Sequence, residues 1–99
     1  MNQFKLVARI IEKSALRYTP AGVPIAAAIL MHSAKQREAN IERIVEFEIN
    51  AQAAGLISKQ FNDLPLDVET EFTGFLARKN RNSKSLVFHI NEIGTHLLD

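Results

Sequence analysis

The residues of this 99-residue chain best placed to do chemistry are four cations within eight positions, RKNRNSKS (78–85). Arg78, Lys79, Arg81 and Lys84 stand there with no acid among them. The chain holds 12 Lys and Arg against 11 Asp and Glu, so setting these four aside leaves 8 bases and a net charge of −3. Positive charge gathered at one place on an otherwise mildly acidic chain suits the docking of a polyanion through its phosphates. It also suits a solvated hairpin tip that binds nothing. Arg17 and Tyr18 offer a second pair, one phosphate contact and one stacking ring, although Tyr18 would serve equally well packing a turn. Lys35 and Arg37 form a third group, diluted by Glu38 and Glu42 nearby.

Other chemistries find less support. Without Cys there is no disulfide framework, thiolate nucleophile or Cys-ligated metal. His32, His89 and His96 are dispersed, with no metal-site spacing such as two His four apart on a helix, and read as structural. Glu46 and Glu48 could pair as acid and base on one strand face. No nucleophile, Gly-rich phosphate loop or convergent His accompanies them, so a solvated sheet face is the better account. The expectation is a protein that is not an enzyme and carries no catalytic residue, metal or cofactor.

The elements that must position these cations are short strands. With 46% apolar and 23% charged residues, the chain has the composition of an ordinary soluble protein and the length of one domain, 1–99. The N-terminal MNQFKLVARIIEK carries Lys5 and Arg9 within its apolar stretch and no cleavage site, unlike a signal peptide. The apolar run IAAAILM (25–31) is too short to cross a bilayer. A soluble cytoplasmic protein without a membrane partner is expected.

Alternation predicts a first strand over 3–13, with Leu6 and Ile10 facing inward. SALRYTPAGVP is a turn segment, because Pro20, Gly22 and Pro24 bar a regular helix or central strand. A nearly all-apolar second strand over 25–33 should be buried on both faces for part of its length. AKQREAN (34–40) reads as a polar hairpin loop. A third strand over 41–50 puts Ile41, Arg43, Val45, Phe47 and Ile49 on the core face, with Arg43 near the mouth, and Glu42, Ile44, Glu46 and Glu48 on the other. AQAAGLISKQF (51–61) is the one candidate helix, interrupted by Gly55, and NDLPL (62–66) is a turn. A fourth strand over 67–79 turns Val68, Thr70 and Phe72 to one face, with a bend or bulge at Gly74. The fifth, over 85–93, sets Leu86, Phe88 and Ile90 against Val87, His89 and Asn91. Phe47, Phe72, Phe75 and Phe88 read as core residues first, and the pattern leaves open whether one of them reaches the binding face.

Five strands with a long connection after the third, holding one short helix or an ordered loop, match the order of an all-β OB-fold barrel. There the loops joining strands 1–2 and 4–5 flank the binding face. Here those loops are LRYTPAGVP and NRNSK, so the basic run falls where such a barrel would hold a nucleic acid strand.

LRYTPAGVPIAAAIL (16–30), His32 closing the second strand, and GFLARK…LVFHINEI (74–93) together resemble the primosomal replication protein N family. That is a family of small single-strand-binding proteins of bacterial replication restart. The resemblance covers nearly the whole chain. It implies an OB-fold homodimer that binds single-stranded DNA and contacts the restart helicase and its helicase-loading primosome partners. Some relatives carry an aromatic near the position of Glu46 as a platform for base stacking, whereas this chain has no Trp and places Glu46 and Glu48 there. Stacking contributes about 1–3 kcal/mol per base where it occurs, so binding here should lean on phosphates. A protein–protein adaptor of the same fold, with DNA contact incidental, is the alternative expectation.

Overall fold

A computed structural model describes residues 1–96. The last three residues of the domain expected over 1–99, and the side chains of Thr95 and His96, lie outside the described residues. The elements run β1 (Phe4–Lys13), β2 (Arg17–Tyr18), β3 (Pro24–Glu38), β4 (Ile41–Ala54), α1 (Ile57–Asn62), β5 (Thr70–Arg78) and β6 (Leu86–His96). Strand neighbours follow the order β1-β5-β6-β4-β3-β2, and a β1–β3 pairing closes the five long strands into an OB-fold barrel. β2 is a two-residue addition on the edge of β3.

Closure requires β1 to serve two partners. Phe4–Ala8 pairs with β5, Arg9–Lys13 pairs with β3, and a register shift between Ile10 and Glu12 marks the change. The bulge re-aims the strand. The Ile10 carbonyl at this point accepts a hydrogen bond from the Asp67 amide (2.9 Å), on a residue held at φ +61°.

Alternation sends one set of side chains into the barrel: Leu6, Ala8 and Ile10; Ala26, Ala28 and Leu30; Ala51 and Ala53; Phe72; Phe88 and Ile90. β3 is therefore buried on its inner face, while Ala27, Ile29 and Met31 are only half-buried outside, short of the burial on both faces that the sequence suggested. One end of the barrel is plugged by α1 and the turn after it. Phe61 lies edge-on to Phe72 at a ring-centroid distance of 5.8 Å, and Leu64 is buried beside it. The helix is shorter than the sequence suggested because Ala51–Ala54 extends β4 and Gly55, at φ +81°, ends the strand. Ser58 Oγ donates to the Gly55 carbonyl (2.6 Å) at its start. At its end the Lys13 ammonium donates to the carbonyls of Asn62 and Leu64. A cation there satisfies carbonyls that have no partner within the helix.

The stretch 34–40, expected as a loop, is instead strand up to Glu38. Only Ala39 (φ 51°) and Asn40 (φ 63°) turn the chain, the two-residue geometry that matches strand twist. β3 and β4 thus project past the barrel as a two-stranded arm, and the molecule is 50 Å long. Periodicity misjudged this segment because an arm outside the core does not need apolar alternation.

The same projection corrects the expected core. Val45, Phe47 and Ile49 do share the inward parity of Ala51 and Ala53, but the barrel has ended before Phe47, whose side chain is 37% exposed. Its ring packs on His32 instead (centroids 5.0 Å apart). Ile41 is exposed, and Arg43 pairs with Glu38 across the arm at 2.9 Å rather than sitting at a barrel mouth. Phe72→Ala should cost about 3–5 kcal/mol as a buried ring is lost, whereas Phe47→Ala should cost under about 2 kcal/mol. Urea unfolding midpoints of the two variants would show the difference directly.

Candidate nucleic-acid interface

The outward-facing residues of the barrel build the site. β4 and β6 run parallel, with Asn50 opposite Val87 and Gln52 opposite His89, while Ala27 on β3 lies opposite Gln52. Alanine on β3 leaves the floor low, so these strands line an open groove of about 450 Å3. Ser14 and Arg17 close it on one side, and Arg78 and Lys79 on the other. The structure thus brings together three of the cations singled out by sequence, from two segments far apart in the chain.

The loops carrying them are built by local hydrogen bonds. In the first, Pro20 and Gly22 (φ +84°) shape a turn closed from the Gly22 amide to the Thr19 carbonyl (2.8 Å). The Thr19 hydroxyl accepts from the Val23 amide (3.1 Å). In the second, the Lys79 amide donates to the Ser85 carbonyl (2.9 Å). The Asn80 side chain accepts from the Asn82 amide (3.0 Å) and the Ser83 hydroxyl from the Ser85 amide (3.0 Å). Asn and Ser supply these turns through their own side chains. Arg81 and Lys84 are exposed on this loop beside the groove without lining it. Among the described residues, none of Arg17, Arg78, Lys79, Arg81 and Lys84 is ion-paired.

The remaining candidates stand apart. Tyr18 is 64% exposed on β2, opposite Pro24. Lys35 and Arg37 lie on the arm, six and eight residues along β3 from Ile29, or about 20 and 26 Å at strand rise. Arg37 bonds the Asn40 carbonyl at the tip (3.1 Å). Glu46 and Glu48 are exposed on the outward face of β4, on the arm side of Asn50. Among the described residues there is no group of three or more His, Asp or Glu able to hold a metal ion, and no helix long and apolar enough to cross a membrane.

Sequence reading missed two members of this face. Phe75 and His89 are directly opposed on β5 and β6 and stack flat, with ring centroids 4.8 Å apart and planes 2° from parallel. The signal was present at Gly74. A side chain there would bring its Cβ within 1.8 Å of the His89 carbonyl oxygen, so only glycine lets the two strands approach. Phe75 points outward by plain alternation along β5, with Phe72 and Leu76 facing the core. The bulge expected beside Gly74 falls on β6, where Asn91 has no partner between Glu92, opposite Thr73, and Ile90, opposite Gly74. His32, by contrast, is structural: its Nδ1–H donates to the Val7 carbonyl (2.6 Å).

Comparison with known proteins places this arrangement. Residues 2–92 match a family described as another single-strand binding protein family. The replication restart protein PriB of Nitrosomonas europaea is 38% identical over 91 residues, 92% of this chain and 84% of that protein. The solved PriB structure from Ralstonia solanacearum is 40% identical, with a TM-score of 0.89 over 99% of both chains. The SSB domain of a Synechococcus protein superposes with a TM-score of 0.72 over 96% of each chain, at 17% identity, a likeness of fold alone.

Partial burial lowers the His89 pKa, because the charged imidazolium loses hydration beneath Phe75 and beside β4. In the unfolded chain the ring takes its proton at the ordinary value, roughly pH 6.5. As pH falls below that, the unfolded state binds the proton first and native stability declines through the lower folded pKa. Above it the term vanishes. Urea titrations at several pH values should show this slope in the wild type and its loss in His89→Gln.

Proposed function

Because the chain belongs to the single-strand binding protein family, within its replication restart PriB group, we propose that it is a non-enzymatic accessory protein of replication restart. It binds single-stranded DNA mainly through phosphates, works in the cytoplasm, and bridges a restart helicase to later primosome components. The observation that carries the DNA reading is the groove itself. Arg17 on β2, Arg78 at the end of β5 and Lys79 just beyond it line the groove over a low floor, with Arg81 and Lys84 beside it. Cations held on ordered loops and not neutralised by acids release counterions from a bound strand, the main source of affinity for such ligands. Lys35 and Arg37 serve, in this reading, as outlying contacts along the arm, and Tyr18 as a ring at the groove entrance.

Changing Arg78, Lys79, Arg81 and Lys84 together to Ala tests this. Each phosphate contact on a single strand adds about −0.7 to the slope of log K against log salt, so three or four contacts give roughly −2 to −3 per protomer. The quadruple variant should bind oligo-dT weakly at low salt, with a flattened slope and an unchanged fold by circular dichroism. Equal affinities and slopes would return the run to a solvated loop. The adaptor reading would then lead, favoured by the exposed Ile41, Ile44 and Phe47 of the arm.

The functional unit in this proposal is a symmetric homodimer. Apolar side chains on the arm and an unshared edge of the Phe4–Ala8 segment of β1 give a second copy something to cover. Light scattering at micromolar protein should give twice the 11.1 kDa chain mass, and a monomer alone would defeat it.

A further inference from the structure

We propose that Phe75, braced by His89, is the base-stacking platform of this groove and takes one unpaired nucleobase on its free face. The inference rests on the single-strand reading above and adds to it a contact that phosphates cannot supply.

Three observations carry it. Phe75 is 39% exposed, whereas Phe72 and Phe88 on the same two strands are 0% exposed. An aromatic ring turned outward from a small barrel leaves apolar area in water that a partner surface would remove. Second, one face of that ring is already covered by a parallel imidazole, so the stack is begun by the protein and a third flat group extends it. His89 itself lines the groove with Gln52 and Asn50, which makes Phe75 the next ring along the same outer face. Third, Ala77 on that strand and Lys79, one residue past its end, follow Phe75 at alternate positions, so a groove-lining cation lies about 13 Å from the ring. A strand whose phosphate meets Lys79 is thereby led across the ring.

The pair is also held rigidly. Both residues sit within paired strands, and the Gly74 contact with the His89 backbone fixes their register. A platform already in place loses little freedom when a base arrives. The other exposed rings fit less well. Phe47 packs on His32 on the inner side of the arm, and Tyr18 stands on the two-residue β2.

The test compares wild type, Phe75→Leu and Phe75→Tyr on oligo-dT and on an abasic strand with the same number of phosphates. Phe75→Leu should bind oligo-dT about 5- to 150-fold more weakly, the range of one stacked base. It should match wild type on the abasic strand and keep its salt slope, while Phe75→Tyr should retain the oligo-dT affinity. Photo-crosslinking of the wild-type protein to oligonucleotides carrying 5-iododeoxyuridine, mapped by mass spectrometry, should mark residue 75 and needs no folded variant. Equal binding of oligo-dT by wild type and Phe75→Leu overturns the platform but leaves the single-strand reading standing. So do an equal loss on both strands and a crosslink mapped only elsewhere. Wild type that binds neither oligomer defeats the single-strand reading itself, and the platform with it.

Discussion

Strand β1 hydrogen-bonds to β5 through Phe4–Ala8 and to β3 through Arg9–Lys13, and the bulge between Ile10 and Glu12 lets one strand serve both. Without that change of partner the five strands would remain an open, twisted sheet with two long exposed edges. With it they enclose a core small enough for alanines to fill beside a few large rings. Ala8, Ala26, Ala28, Ala51 and Ala53 are buried together with the rings of Phe72, Phe88 and Phe61. The Asp67 amide that satisfies the Ile10 carbonyl, and the Lys13 ammonium that caps α1, both act next to this switch. Barrel closure and helix placement therefore depend on the same ten residues.

Once the barrel is closed, the outward parity of each strand becomes a single continuous surface, and its chemistry varies by place. Near the two loops it is basic, with a floor of Ala27, Asn50 and Gln52 low enough to admit a ligand. Toward the arm it becomes acidic through Glu48 and Glu46. Farther along the arm the same face carries Lys35 and Arg37, so the two glutamates separate two basic stretches. The β5–β6 approach at Gly74 adds the flat Phe75–His89 pair to the same surface. A glycine forced by backbone contact in the barrel wall thus has its consequence outside.

The arm is the other product of the strand pairing. β3 and β4 stay paired from Ile25–Ala54 to Glu38–Ile41, well beyond the point where β1 leaves them. The apolar residues on this extension, Ile41, Ile44 and Phe47, have no core to enter and remain in solvent. Charged partners hold its shape instead, through Arg43 with Glu38 and Arg37 with the turn.

By itself the sequence determined the five long strands, the barrel order, the turn at Thr19–Gly22, the bulge beside Gly74 and the basic character of 78–85. These are local properties: side-chain period, proline and glycine geometry, and charge density are written in consecutive residues. It also determined the inner face of nearly every strand, since parity is fixed once one buried residue is known. Only the tertiary structure decided where the core stops, which put Phe47 outside it and turned the expected 34–40 loop into strand. It alone joined Arg17 to Arg78 and Lys79 across one groove, left Lys35 and Arg37 distant on the arm, and set Phe75 flat on His89. Each of these depends on which strands become neighbours after closure, and that pairing is a property of residues far apart in the chain, invisible to any window of consecutive ones.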